Sequence, residues 1–141
     1  MPDADPLVRS YRPTDFAALV RLWRDCGLHP SRSDTPGSLA RKLERDPDLF
    51  LVAEAAGAIV GSILGSYDGR RGWINRLAVA PALRGRALGR RLVDEVERRL
   101  AAKGCDKVNL LIEPDNAAVQ AYYARLGYRP DPLVFMEKWL A

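Results

Sequence analysis

The sequence predicts an α/β (α+β) chain: a mixed central β-sheet with helices on both faces, in the order β-α-α-β-β-β-α-β-α-β. Three observations predict it. Apolar residues recur at helical spacing, as at Phe16, Leu19, Val20 and Trp23. Two glycine-bearing turns, one at Gly57 and one over 68–72, divide apolar runs into an antiparallel meander. A strand–helix–strand unit over 73–112 then adds a parallel pair through a crossover.

The elements follow in order. Leu7–Tyr11 reads as a strand, ended by Arg12-Pro13. Thr14 is suited to cap a helix running to about Cys26, with Gly27 as its stop. Residues 27–37 form a polar loop. Thr35-Pro36 starts a short helix to about Arg45, with proline at the tolerated first position. Leu49–Ala55, Ala58–Tyr67 and Trp73–Val79 are the meander, and Pro81 ends it. A long amphipathic helix spans about Gly85 to Lys103, with Leu88, Leu92, Val96 and Leu100 on one stripe. Lys107–Ile112 is a strand. Asn116–Leu126 is a helix carrying Val119, Tyr122, Tyr123 and Leu126 on its stripe, stopped by Gly127. Pro132–Leu140 is the expected last strand. Residues 1–6 read as a short flexible tail and 7–141 as one domain, as the length of 141 residues suggests.

Composition excludes several classes. Hydrophobic residues make up 48% and charged residues 28%, ordinary for a globular protein. No apolar run reaches the ~18 residues of a membrane span, and the N-terminus has no secretory apolar core. With 2 cysteines and 1 histidine there is neither a disulfide framework nor a zinc-ligand set, so no metal is expected and a reducing cytoplasm is the expected location. The net charge is +4, and its placement says more than its size. Arg84, Arg86, Arg90 and Arg91 lie within eight residues, RGRALGRR, that contain no acid. The rest of the chain is neutral.

That segment opens the long helix. Helix N-termini carry free N–H groups and partial positive charge, so bare ones favour acids and disfavour arginines by roughly 0.3–1 kcal/mol each. Gly89 adds a cost of about 1 kcal/mol relative to alanine. Both choices make sense if a phosphate or pyrophosphate sits at the helix start. A solvated basic face with a glycine at a crowded contact is the plainer reading, and a nucleic-acid patch a third. The +4 is confined to one helix start, so nucleic acid is not the expected partner. The spacing matches neither a phosphate-binding P-loop nor a dinucleotide fingerprint.

The string LAVAPALRGRALGRRLV (Leu77–Val93) resembles the acetyl-CoA signature of the GNAT family of N-acetyltransferases, Q/R-x-x-G-x-G/A after a strand ending in x-V-x-P. Arg84 matches its first position and Gly89 its last, while Ala87 stands at the middle glycine. Alanine in helical geometry would keep the N–H, add a methyl, and weaken or slightly shift the pyrophosphate contact without abolishing the site. Asn116–Tyr128 (NAAVQAYYARLGY) resembles the family's second motif at Asn116, Tyr123, Gly127 and Tyr128, with Val119 for the usual alanine. The element order is similar over nearly the whole chain.

The resemblance implies a GNAT-like fold and a direct attack of a primary amine on acetyl-CoA, with no covalent enzyme intermediate. It places the pantetheine arm along the backbone of Leu77, Ala78 and Val79, and the pyrophosphate on the N–H groups of Arg84, Gly85, Arg86, Ala87, Leu88, Gly89 and Arg90, with Asn116 also at the cofactor. Tyr123 is implied as the acid that protonates the departing thiolate, although the same residue reads as core from its stripe. The usual strand glutamate is Asn75 here, which cannot accept a proton. Glu113 is the nearest substitute, and an α-amine of pKa ~8 needs no base residue. The family often builds its acceptor site in the loop over 27–37.

The implied activity is acetyl transfer to the amine of a small molecule. Transfer to a protein N-terminus or lysine, and an acyl-CoA-binding domain with little catalysis, are the competing readings. Family members often dimerise, and nothing in these residues decides that. His29 reads as a surface loop residue, Trp23 as core, and Cys26 and Cys105 as inert thiols.

Overall fold

The meander expected from the glycine turns forms the centre of a five-stranded sheet in the computed structural model, which describes residues 5–141. The first four residues of the expected tail lie outside the described residues. The chain divides into two units, residues up to 111 and residues 112–141.

In the first unit the sheet order is β1 (Leu7–Ser10), β2 (Phe50–Ala55), β3 (Ala58–Tyr67), β4 (Gly72–Val79) and β5 (Val108–Leu110). Pairing is antiparallel through β4, and β4–β5 is parallel as the strand–helix–strand unit requires. Because side chains alternate along a strand, β2 and β3 feed two cores. One holds Phe50, Val52 and Leu64 against Leu19, Leu22 and Trp23 of α1 (Phe16–Asp25) and Leu39 of α2 (Pro36–Arg45). Tyr11 stacks flat on Phe50 there, centroids 4.2 Å apart.

The other core lies under α3 (Leu88–Ala102), whose Leu88, Leu92, Val93, Val96 and Leu100 are all buried. The helix comes so close that a Cβ built on Gly65 would stand 2.8 Å from Val96 Cγ1. Glycine here is a requirement of packing, not of turning.

The start of α1 differs in detail from expectation. Thr14 does not cap α1. A 3-10 turn, Pro13–Asp15, precedes the helix, and Asp15 Oδ2 accepts from the Arg12 N–H at 2.8 Å. A carboxylate wins over a hydroxyl because Arg9 reaches it twice, at 2.9 and 3.0 Å, and Arg9 also donates to Glu54 at 2.8 Å. The Arg9 hydrogen bonds hold the Asp15 carboxyl below its ordinary range against the cost of burial. Thr35 does cap α2, accepting from the Ser38 N–H at 3.1 Å. Near the end of α2, Lys42 donates to Asp46, Ser66 and the Gly65 carbonyl, and burial pushes its ammonium below the usual lysine range.

The second unit contains α4 (Ala117–Arg125), capped by Asn116 and followed by Gly127 at positive φ. The expected strand over Pro132–Leu140 does not form. Leu133, Val134, Met136 and Leu140 are at least 80% exposed. A strand takes its hydrogen bonds from a neighbour, and a strand-like pattern without a partner stays irregular. The Leu133 N–H instead donates to Asp131 O at 2.7 Å.

Candidate active site

The site is built where β4 loses a neighbour. β5 is only three residues long and pairs β4 over Gly72, Trp73 and Ile74. Beyond Ile74 the described residues give β4 no strand partner on that side. The backbone of Asn75–Val79 is therefore a strand edge without a pairing strand on that side. Sheet edges of this kind bind extended ligands by main-chain hydrogen bonds.

Within the same stretch β4 bulges. Ser62 opposes Ala78 and Leu64 opposes Asn75, so Arg76 and Leu77 share one position opposite Ile63. Arg76 takes φ +54°, a left-handed conformation that costs a non-glycine residue about 1–2 kcal/mol. Its surroundings hold it there. Trp23 Nε1 donates to Ser62 Oγ at 2.9 Å, and Ser62 Oγ donates to the Arg76 carbonyl at 2.9 Å. The Arg76 guanidinium lies 4.8 Å from the Trp23 ring centre. It donates to the His29 carbonyl at 3.0 Å and to Asp34 Oδ2 at 2.5 Å. Nothing in the sequence marked Arg76, since a bulge leaves no pattern there. Ser62, a polar residue in an apolar strand, was the one available sign.

Leu77 and Val79 are half-buried and Ala78 is buried. The Val79 carbonyl receives Cys26 Sγ–H and Arg84 Nε–H, each at 3.3 Å. After a 3-10 turn at Pro81–Leu83 the chain crosses to α3. The helix begins at Leu88, later than the expected start near Gly85, and its first turn has neither an acid nor a side-chain cap. The N–H groups of Leu88, Gly89 and Arg90 precede the first intrahelical bond, from Arg91 N to Ala87 O at 3.0 Å. Ahead of them Gly85 (φ +83°) and Ala87 (φ +61°) flank Arg86 with alternating backbone hand. Alternation of this kind turns successive N–H groups inward into an anion-binding nest.

Ala87 corrects the sequence reading. It is not in helical geometry but in the left-handed region, where glycine is at ease and alanine is strained. The departure from the signature therefore costs backbone energy as well as a methyl group. Arg84, Arg86, Arg90 and Arg91 are exposed around this turn, and Arg90 faces Asp94 at 3.7 Å. A groove of about 1100 Å³ lies alongside, lined by Ala80, Leu83, Arg86, Ala87, Arg90 and Arg91 among others. An uncapped, acid-free, arginine-rich helix start fits the diphosphate of a coenzyme.

The remaining expected residues lie in the second unit. Asn116 uses its carboxamide oxygen to accept from the Val119 N–H at 3.2 Å. Glu113 is exposed. Tyr123 is 7% exposed and packs edge-on against Tyr122 and Tyr128, at 5.4 and 5.5 Å. Burial, with a smaller contribution from Tyr122, pushes its phenol well above the ordinary tyrosine value. Asn75 and His29 are exposed, and Trp23 is core. Among the described residues no group of His, Cys, Asp and Glu could hold a metal ion, and no helix is long and apolar enough to cross a membrane.

Comparison with known proteins agrees with this geometry. The sequence profile of the acetyltransferase (GNAT) family matches residues 16–128. An acetyltransferase of Sodalis glossinidius is 43% identical over 129 residues, 92% of this chain and 91% of the relative. One of Yersinia enterocolitica is 41% identical over 133 residues, 94% of each chain. The structure of the PaiA N-acetyltransferase of Thermoplasma acidophilum, in complex with coenzyme A, superposes with a TM-score of 0.79 at 18% identity, covering 93% of this chain and 94% of that one.

Proposed function

The chain belongs to the GNAT acetyltransferase family, and we propose that it transfers acetyl from acetyl-CoA to the primary amine of a small molecule. The observation that carries this reading is the strand edge of β4 left unpaired by β5 over Asn75–Val79, followed in the chain by an acid-free helix start at Leu88. The pantetheine arm lies along Leu77, Ala78 and Val79. The diphosphate meets the turn from Arg84 through Gly85, Arg86 and Ala87 to the N–H groups of Leu88, Gly89 and Arg90. Residues 7–141 act as one catalytic domain.

In the reaction the neutral amine attacks the thioester carbon. The carbonyl oxygen takes up negative charge, which backbone N–H groups freed at the β4 bulge are suited to stabilise. The C–S bond then breaks, and Tyr123 gives its phenolic proton to the leaving thiolate. Burial keeps the phenol protonated across the working pH range, and by the same shift makes it a weaker acid than a free phenol. The amine loses its extra proton to water. Asn75 offers no base, and Glu113 is exposed to solvent, which makes it a weak base at best. An α-amine of pKa ~8 is partly neutral at pH 7 and fits a site without a base better than a lysine amine of ~10.4. The acceptor enters beside the bulge, with the loop over 27–37 as its wall.

Thiol release from acetyl-CoA, measured over a panel of amino acids, polyamines, amino sugars and peptides, tests the reading. Turnover on a small amine is expected. Turnover on peptides alone would replace the acceptor class, and tight acetyl-CoA binding without turnover would replace catalysis with binding.

A further inference from the structure

Arg76 sits at a position that backbone energetics would give to glycine, and both its carbonyl and its guanidinium are engaged. Its carbonyl is held by Ser62, its guanidinium covers Trp23, and its Nη2 reaches the His29 carbonyl and Asp34 Oδ2. The last two bonds join the loop over 27–37 to the sheet across more than 40 residues of chain. Two further hydrogen bonds of the loop are local: Ser31 N–H to Asp34 Oδ2 at 2.7 Å and Ser33 N–H to Ser31 Oγ at 3.1 Å. Asp34 therefore shares one carboxylate oxygen between the loop's own turn and Arg76.

We infer that Arg76 is a positioning residue for the acceptor: it locks the loop over 27–37 to the β4 bulge, so that one residue sets both the backbone beside the thioester and the wall facing it. This rests on the reading of that loop as the acceptor wall. The lock is an arginine for a physical reason. A planar fork can stack on an indole and still donate in its own plane, which a lysine ammonium cannot do. The cost of φ +54° is offset because the bulge points this side chain, and no other on β4, at both the indole and the loop.

Arg76→Gly is the decisive variant. Glycine accepts the positive φ, so the bulge is kept while the stack and both loop bonds are removed. Thiol-release kinetics are measured with the amine that the wild-type protein uses best, varying each substrate in turn. A rise of about tenfold or more in acceptor KM is expected, with acetyl-CoA KM within about twofold. Asp34→Asn should move acceptor KM the same way. The double variant should be no worse than Arg76→Gly alone, because both remove one contact. Arg76→Lys should restore only part of the loss. An unchanged acceptor KM in Arg76→Gly overturns the inference, and so does an equal rise in both KM values, which would report general loosening. If the wild-type protein turns over no amine, the functional reading fails and amide exchange in the loop decides the lock. Exchange about tenfold faster in Arg76→Gly supports it, and unchanged exchange overturns it.

Discussion

Trp23 and Ser62 meet at the centre of the first unit, the indole N–H donating to the hydroxyl oxygen at 2.9 Å. Ser62 is fully buried and passes the interaction on to the Arg76 carbonyl. A single hydroxyl thus satisfies a buried donor on α1 and a half-buried acceptor at the β4 bulge. Ser62→Ala should strip both partners at once and lower stability by about 2–4 kcal/mol, since each orphaned buried group costs about 1–3 kcal/mol. Urea unfolding followed by tryptophan fluorescence checks this. A loss below about 0.5 kcal/mol would show that water replaces the hydroxyl.

Ala87 offers the opposite test. Glycine at φ +61° would remove left-handed strain and the methyl group from the turn before α3. Ala87→Gly should leave stability equal or raise it by up to about 1 kcal/mol, the strain relief being partly offset by the greater freedom of the unfolded chain. It should also tighten acetyl-CoA binding. Thermal unfolding and titration calorimetry read the two effects. Weaker binding would mean that the turn is not where the diphosphate sits.

The Arg9–Asp15 pair predicts an acid-sensitive fold. The Asp15 carboxyl titrates lower in the folded chain than its ordinary 3.8, so its contribution is complete above that value and is lost as pH falls through the folded value. Asp15→Asn should cost about 1.5–3 kcal/mol at pH 7, and the difference from wild type should shrink steadily below about pH 4. Denaturant midpoints between pH 7 and pH 2 measure it. A constant difference across that range would place the stabilisation elsewhere.

Tyr123 links stability and turnover. Its phenol titrates above the ordinary 10.0 in the folded chain, so its burial contributes fully below pH 10 and is lost as pH rises beyond that. As the thiolate's acid it should leave no alkaline limb in kcat below about pH 10. Tyr123→Phe should reduce kcat by about 100-fold or more with acetyl-CoA affinity nearly unchanged. Turnover within twofold of wild type would remove Tyr123 from the chemistry and leave it as packing.

Much of the fold was legible because periodicity and punctuation are local. The stripe of Leu88, Leu92, Val96 and Leu100 announced α3, and the turns at Gly57 and 68–72 announced the meander. The arginines and missing acids at 84–91 pointed to an anion at a helix start, again from a local pattern. The Pro132–Leu140 segment shows where such reasoning stops: its composition suits a strand, but a strand exists only with a neighbour to bond.

The sequence by itself determined the elements, the family motifs and the charge at the start of α3, since each depends on residues a few positions apart. Tertiary structure alone decided that β5 ends opposite Ile74 and leaves Asn75–Val79 without its pairing, that Ala87 turns left-handed, and that Arg76 reaches Asp34 across the bulge. These features depend on register and on contacts between distant segments. A one-residue bulge changes where a side chain points without changing any pattern along the chain.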